Sequence, residues 1–193
     1  MSCASDEALF LDEEFKYGNA VSLVCFEGDA GNRRLVLSKE AEAVISNLSS
    51  PIGVISAVGN IKTGKSFLLN RVLLDTEGGF AVGSSVDPCT KGLWLWSRPL
   101  RRQLPSGKVM NIIVIDTQGV GSSESNMEQD LTLFALSALL SSYMIYNSFG
   151  HIDEASIANL SLVAELAKLI ESRASPESER KPAAATDKTP FFM

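Results

Sequence analysis

The residues with the clearest chemistry form a glycine-rich run, Gly59 to Ser66, that fits the pattern G-x-x-x-x-G-K-[ST]. Glycines let such a run curl until successive backbone N–H groups face a phosphate, and the start of the following helix adds the positive end of its dipole. Lys65 would reach the β- and γ-phosphates, and the Ser66 hydroxyl would bind Mg²⁺. The alternative is a glycine-rich turn with an exposed lysine. The predicted phosphate-binding residues are Gly59, Asn60, Ile61, Lys62, Thr63, Gly64, Lys65, Ser66 and Phe67.

A second group of residues follows an apolar run farther along the chain. The run Ile112–Ile115 leads directly into Asp116-Thr117-Gln118-Gly119. An acidic residue at the end of a buried strand is where phosphate-binding proteins hold a magnesium ion and its water shell. Gly119 is placed to offer its N–H to a γ-phosphate. Because many strand-ending turns carry Asp and Gly, the metal role of Asp116 depends on its combination with the glycine-rich run.

A threonine, Thr90, lies between these two groups and opens the run Thr90-Lys91-Gly92-Leu93-Trp94-Leu95-Trp96. A threonine in this position can act as a switch ligand that contacts Mg²⁺ and the γ-phosphate only in the triphosphate state. Threonines are also common before strands, and two tryptophans on one strand face are typical of ordinary core packing. Residue types and spacing leave both interpretations of Thr90 open.

These groups require a sheet whose strands bring their ends together. The run before Gly59 is almost continuously apolar, as expected of a strand that is covered on both faces. The order strand–helix–strand–strand then predicts an α/β sheet between helices. The predicted strands are Val21–Phe26 and Leu35–Leu37, which form a hairpin, Ile52–Val58, Gly92–Trp96 and Val109–Ile115; the predicted helices are a Ser38-capped helix that ends at Ser49–Pro51, Lys65–Leu74 and Asp153–Ile170.

One apolar run is long enough to suggest a membrane span. No Asp, Glu, Lys or Arg occurs from Leu131 to Ile152, and length alone would allow this run to cross a bilayer. Serines interrupt it, however, and its flanks are acidic rather than basic. We therefore expect a buried helix followed by a buried strand and no transmembrane segment.

Composition restricts the class of protein. The chain has 193 residues, a formal net charge of −6 and 45% hydrophobic residues, which is too apolar for a disordered chain and too acidic for a general nucleic-acid binder. Three cysteines without a C-x-x-C spacing and a single histidine support neither a disulfide framework nor a zinc site. Together with the acidic N-terminal residues, this usage predicts a cytoplasmic location.

The sequence resembles the guanylate-binding proteins, which are large, dynamin-related GTPases. The resemblance covers about residues 20–170 and depends on the runs Lys62–Asn70, Thr90–Trp96, Asp116–Gly119 and Leu139–Ser148. It implies an α/β P-loop NTPase fold, a three-layer sandwich with a mostly parallel sheet that is truncated at its C-terminal side. The implied organisation is an acidic lead-in (1–19), a partial GTPase domain (20–171) and a flexible tail (172–193).

The resemblance also implies ligands and roles. The ligands are GTP and Mg²⁺, with a nucleotide-dependent homodimer through the GTPase domains as the implied assembly. The implied metal ligands are Ser66, the switch I threonine Thr90 and the switch II aspartate Asp116. The implied catalytic residues are Lys62, Lys65, Thr90 and Gln118, with Gly119 at the γ-phosphate.

The sequence departs from the family pattern at positions that bear on turnover. Lys62 stands where the family usually has an arginine finger, Pro88 where a serine helps to place the attacking water, and Gln118 where switch II has a glutamate. Lysine keeps the charge of arginine but lacks the planar fork that can contact two oxygens. No residue of the chain can be assigned to reading the guanine base.

Three hypotheses follow from the motifs and the departures. The first is GTP binding and Mg²⁺-dependent GTP hydrolysis, impaired by truncation. The second is a non-catalytic, nucleotide-responsive interaction module or pseudo-GTPase. The third is another phosphate-loop enzyme such as a small-molecule kinase, which would give no reason for the Thr90 run.

Overall fold

A computed structural model of the chain describes residues 10–28, 33–82, 92–119 and 127–151, together with residues 154, 156–158, 160, 161, 163–165 and 168. The helices are α1 (Lys39–Ser46), α2 (Lys65–Leu68) and α3 (Met127–Leu140), and the described residues between 154 and 168 are also helical. The strands are β1 (Ala20–Glu27), β2 (Arg34–Leu37), β3 (Ile52–Val58), β4 (Gly92–Trp96), β5 (Leu100–Gln103), β6 (Val109–Thr117) and β7 (Tyr143–Tyr146).

The strands form one sheet in the order β2-β1-β4-β6-β3-β7, with β5 paired to the first half of β6. The α/β P-loop architecture is confirmed, but the described pairings are mixed rather than mostly parallel. Among the described strands, only β3 with β6 and β3 with β7 run parallel. The other described pairings are antiparallel, and two of them, β1 with β2 and β5 with β6, join strands that are consecutive in the chain. The parallel part of the sheet is therefore the part that surrounds β3.

Pairing of β3 with its two parallel neighbours places the ends of three strands at one edge. On one side, Ala57 pairs with Asp116, so the residues that follow β3 lie beside the end of β6. On the other side, Val58 pairs with Tyr146, and the Asn147 N–H continues this pairing by donating to the Val58 carbonyl at 2.7 Å. The loop that begins at Gly59 thus emerges between the ends of β6 and β7, where ligands bind in open α/β sheets.

Two apolar layers pack on opposite faces of the sheet. Strand β6 alternates between them, with Ile112 and Val114 in one layer and Ile113 and Ile115 in the other. The first layer lies under α2 and its continuation, and the second lies under α1 and α3. The first layer also contains Phe15, Leu69, Leu74, Phe80 and Trp96, with Trp94 packed against them. The second layer also contains Leu23, Ala41, Leu93, Leu95 and Leu133. The three-layer arrangement follows from this alternation.

Most predicted elements are present with nearly the predicted bounds. The β1–β2 hairpin is antiparallel, and the Ser38 hydroxyl accepts a hydrogen bond from the Ala41 N–H at the start of α1, as the capping pattern predicts. The helix predicted at Lys65–Leu74 is shorter: α2 ends at Leu68 and widens into a π-helical turn, Leu69–Leu73. Strand β5 was not predicted, because its sequence Leu-Arg-Arg-Gln does not alternate apolar and polar residues. In the structure Leu100 is its one buried residue.

The uncharged run Leu131–Ile152 contains most of α3 and all of β7, so the predicted order of helix and strand is confirmed. The predicted burial of the strand is wrong, because Tyr143 is 48% exposed and the other three residues of β7 are half-buried. In the part of the chain that is described, no helix combines the length and the apolar character needed to cross a membrane.

Candidate functional site

The glycine-rich loop after β3 requires backbone angles that suit glycine. Gly59 has φ +140° and Gly64 has φ +89°, both in the region that side chains disfavour. At Gly59 a Cβ would also clash with the Asn147 backbone, whereas open space surrounds Gly64. Lys62 adopts φ +61° although it is not a glycine. The loop therefore curls tightly between β3 and α2, as the motif predicts.

Side chains also hold the loop in shape. The Thr63 hydroxyl donates to the Asn60 carbonyl at 3.0 Å across the turn of the loop. From outside the loop, the Asn147 side-chain amide donates to the Thr63 carbonyl at 2.9 Å. Sequence reasoning did not single out Asn147 as a site residue. The signal that could have found it is its place directly after a strand predicted to lie in the same sheet.

Lys65, the lysine of the motif, is buried with 6% of its surface exposed. Its ammonium group donates to the Asn60 carbonyl at 2.8 Å, so it lies over the loop rather than in solvent. Burial lowers the pKa of Lys65, and the nearby charge of Asp116 opposes that change. The alternative of a glycine-rich turn with an exposed lysine is therefore wrong for this residue.

Ser66 and Asp116 meet at the base of the loop. The Ser66 hydroxyl donates to Asp116 Oδ2 at 2.6 Å, although the two residues are far apart in the sequence. Asp116 is 7% exposed, and its second oxygen, Oδ1, is buried without a hydrogen-bond partner among the described residues. Burial raises the pKa of Asp116 to about 6, against the opposing effects of the Ser66 hydroxyl, the Lys65 charge and the nearby Thr117 backbone N–H.

These oxygens fit a magnesium ion. Mg²⁺ prefers oxygen ligands and commonly uses only one or two from the protein, with phosphates and water completing its shell. A serine hydroxyl and a carboxylate with one unpaired buried oxygen supply such a pair. Within the described residues no group of three or more His, Cys, Asp or Glu side chains could hold a metal. Ser66 and Asp116 would therefore supply two ligands to Mg²⁺, and a bound phosphate and water would supply the others.

The residues after Asp116 approach the loop from the side of β6. A Cβ on Gly119 would lie 2.5 Å from the Ile61 backbone nitrogen, so only glycine allows this close approach. The Gln118 N–H donates to the Gly92 carbonyl at 3.1 Å, which ties the end of β6 to the start of β4. The structure thus brings Gly119 against the loop, as the predicted phosphate contact requires.

The remaining predicted residues divide into exposed and undescribed ones. Ile61 and Lys62 at the tip of the loop are exposed, and Phe67, which follows Ser66 on α2, is 55% exposed. Thr90, the predicted switch ligand, lies outside the described residues, as does Pro88. Among the described residues, the predicted site therefore brings together the loop, Lys65, Ser66, Asp116 and Gly119.

The chain is similar to known proteins of one family. A family profile described as "Guanylate-binding protein, N-terminal domain" matches residues 32–193. The chain is 39% identical to guanylate-binding protein 1 of Mus musculus over 145 residues, which is 75% of the chain and 24% of that protein. It is 37% identical to guanylate-binding protein 1 of Homo sapiens over 163 residues, 83% of the chain and 27% of that protein. The chain thus spans about a quarter of the length of these curated relatives.

Proposed function

This chain belongs to the guanylate-binding protein family, and on that premise we propose that its loop Gly59–Ser66 binds GTP with Mg²⁺ as part of a GTP-hydrolysing domain. The observation that carries the proposal is the pairing of Ser66 with Asp116 at 2.6 Å beside the loop, with one buried carboxylate oxygen that no described residue hydrogen-bonds. A buried carboxylate with an unused oxygen is unfavourable unless a cation or donor occupies the site in the working protein.

The charges around the loop suit a triphosphate. Lys65 is desolvated, so its ammonium interacts more strongly with phosphate oxygens than an exposed lysine would. On nucleotide binding it would exchange the Asn60 carbonyl for the β- and γ-phosphates. Mg²⁺, when bound, would neutralise charge that develops on the transferring phosphoryl group. The N–H groups of Gly64 and of the first turn of α2 would face the phosphates.

Hydrolysis itself needs little covalent chemistry from the protein. Phosphoryl transfer to water depends mostly on positioning and on electrostatic stabilisation. In this proposal Thr90 contacts the γ-phosphate and Mg²⁺, Gln118 helps to place the water, and Lys62 contributes its charge at the exposed tip of the loop. Lys62 and Gln118 stand where the family pattern has an arginine and a glutamate. We therefore expect these two departures to impair GTP hydrolysis more than nucleotide binding.

A non-catalytic, nucleotide-responsive module is the second candidate. It is favoured by the position of Lys62, whose side chain is exposed instead of lying over the loop as Lys65 does. The proposal includes a nucleotide-dependent homodimer, which the family resemblance implies. It also includes a cytoplasmic location, which cysteine usage favours.

The test is a titration of the chain with a fluorescent GTP analogue, with and without Mg²⁺. Lys65→Ala and Ser66→Ala are expected to abolish binding, because they remove the buried ammonium and the metal-binding hydroxyl. Lys108→Ala is the matched control, since this exposed lysine lies just before β6 at the opposite end from Asp116. Unchanged titration in the two loop variants, with circular dichroism like that of the control, would contradict the proposal.

Two further measurements separate the hypotheses. Competition by GTP but not by ATP supports a guanine nucleotide over the nucleotide of a small-molecule kinase. Phosphate release at saturating GTP distinguishes hydrolysis from binding alone: Mg²⁺-dependent binding without turnover favours the non-catalytic module.

A further inference from the structure

Asn147 contacts the glycine-rich loop at both of its ends. Its backbone N–H donates to the Val58 carbonyl at 2.7 Å, immediately before the loop begins. Its carbonyl lies where a Cβ of Gly59 would be. Its side-chain amide reaches Thr63, near the other end, at 2.9 Å. One residue of a neighbouring strand therefore fixes the first residue of the loop and one of its last peptide groups.

The second contact determines the orientation of a peptide group. Because the Thr63 carbonyl can only accept a hydrogen bond, the Asn147 side chain must present its NH₂ group there. In a trans peptide the C=O of one residue and the N–H of the next point in opposite directions. Holding the Thr63 carbonyl toward Asn147 consequently turns the Gly64 N–H away from the Asn147 side chain. The φ of +89° at Gly64, with no atom crowding its Cβ position, is compatible with this orientation without strain.

We propose that Asn147 is a positioning residue for phosphate binding, which acts by anchoring the Thr63 carbonyl so that the Gly64 N–H is oriented toward the nucleotide phosphates before the nucleotide arrives. This inference rests on the proposed function of the loop as a nucleotide-phosphate site. Without the anchor, the Thr63–Gly64 peptide can rotate, and binding must then order it. Preorganised donors bind more tightly because that ordering has already occurred.

The test compares Asn147→Ala with Asn111→Ala in the full chain. Asn111 is a matched control because its side-chain amide also donates to a backbone carbonyl, that of Ser49, at 2.8 Å, but near the opposite end of β6. Both variants lose a hydrogen bond from a side-chain amide to a backbone carbonyl, and Asn111→Ala also loses a longer one to the Ser49 hydroxyl at 3.3 Å, so the control is expected to lose at least as much stability. Only Asn147→Ala is expected to weaken binding of a non-hydrolysable GTP analogue, by roughly three- to tenfold, the effect of one net hydrogen bond.

The direct readout is the amide resonance of Gly64 in the ¹H–¹⁵N spectrum. In the unaltered protein, adding the GTP analogue with Mg²⁺ is expected to move the Gly64 N–H downfield, as a hydrogen bond to a phosphate oxygen does. This shift should persist in Asn111→Ala and shrink in Asn147→Ala. A purely structural role for Asn147 would lower stability and leave the shift unchanged, which would overturn the proposal.

The outcomes also separate this proposal from the function on which it rests. If the unaltered protein binds no nucleotide, both are wrong. If it binds nucleotide but its Gly64 resonance does not move, the proposed function stands and the role of Asn147 is refuted. This second measurement needs no variant, so it can refute the proposal even if Asn147→Ala does not fold.

Discussion

The protonation of Asp116 should control the stability of the nucleotide-free protein. Burial raises the pKa of its carboxyl from 3.8 to about 6. The folded state therefore holds this proton more tightly than the unfolded chain does, so the stabilisation is complete below the unfolded pKa and is lost as the pH rises through about 6. The pKa of the carboxyl rises from 3.8 in the unfolded chain to about 6 in the folded protein. At roughly 1.4 kcal/mol for each unit of pKa difference, protonation contributes at most about 3 kcal/mol to the free energy of unfolding.

The assay is urea unfolding of the unaltered protein and of Asp116→Asn between about pH 4 and about pH 7. Asparagine does not titrate, and other titrating groups are common to both proteins, so the difference between their free energies of unfolding isolates the carboxyl. Relative to the variant, the unaltered protein should lose about 2.5 kcal/mol of stability across this range, because the carboxyl of the unfolded chain is already partly ionised at about pH 4. Any constant offset caused by the asparagine NH₂ group does not affect this slope.

A difference that stays constant with pH would refute the reasoning, because it would mean that the carboxyl is not desolvated in the folded state. The proton also competes with the metal for the same oxygens. Mg²⁺-dependent binding of the GTP analogue should therefore weaken below about pH 6 in the unaltered protein.

Two further predictions concern the loop. Lys62→Arg should raise the single-turnover rate of GTP hydrolysis, because the guanidinium can contact two phosphate oxygens; an equal or lower rate would refute an assisting role for position 62. Gly59→Ala should lower the free energy of unfolding by several kcal/mol, since the new Cβ clashes with the Asn147 backbone, whereas Gly64→Ala should cost only about 1–2 kcal/mol for its φ of +89°. Equal losses in urea unfolding would show that contact with Asn147 does not constrain the loop.

Much of the site was predictable because its parts are local in sequence. The run Gly59–Ser66 follows a strand whose continuous apolar character signals burial on both faces, and this context determines where the loop lies. Asp116 was predictable for the same reason, since it is the residue before the last of the apolar strand β6. Parallel pairing of two such strands brings their ends together, so the contact between Ser66 and Asp116 follows from the two local patterns.

The features that were not predicted depend on pairing between distant segments. Nothing in the local sequence of β5 marks a strand, because it gains its order from hydrogen bonds to β6 rather than from a buried face. The antiparallel pairing of β4 with β6 likewise depends on register that the sequence pattern does not encode. The contact of Asn147 with Thr63 needs the parallel alignment of β7 with β3, which joins residues that are far apart in the chain.

Three locally unfavourable features coincide in the nucleotide-free site. Asp116 has a buried oxygen without a partner among the described residues, Lys65 is held out of water, and Lys62 has a positive φ. Each costs free energy in isolation, on the order of 1–3 kcal/mol. A single ligand, a magnesium-bound phosphate, would satisfy the carboxylate and the ammonium together. The proposed phosphate site accounts for the buried carboxylate and the buried ammonium, neither of which the stability of the nucleotide-free chain alone would favour.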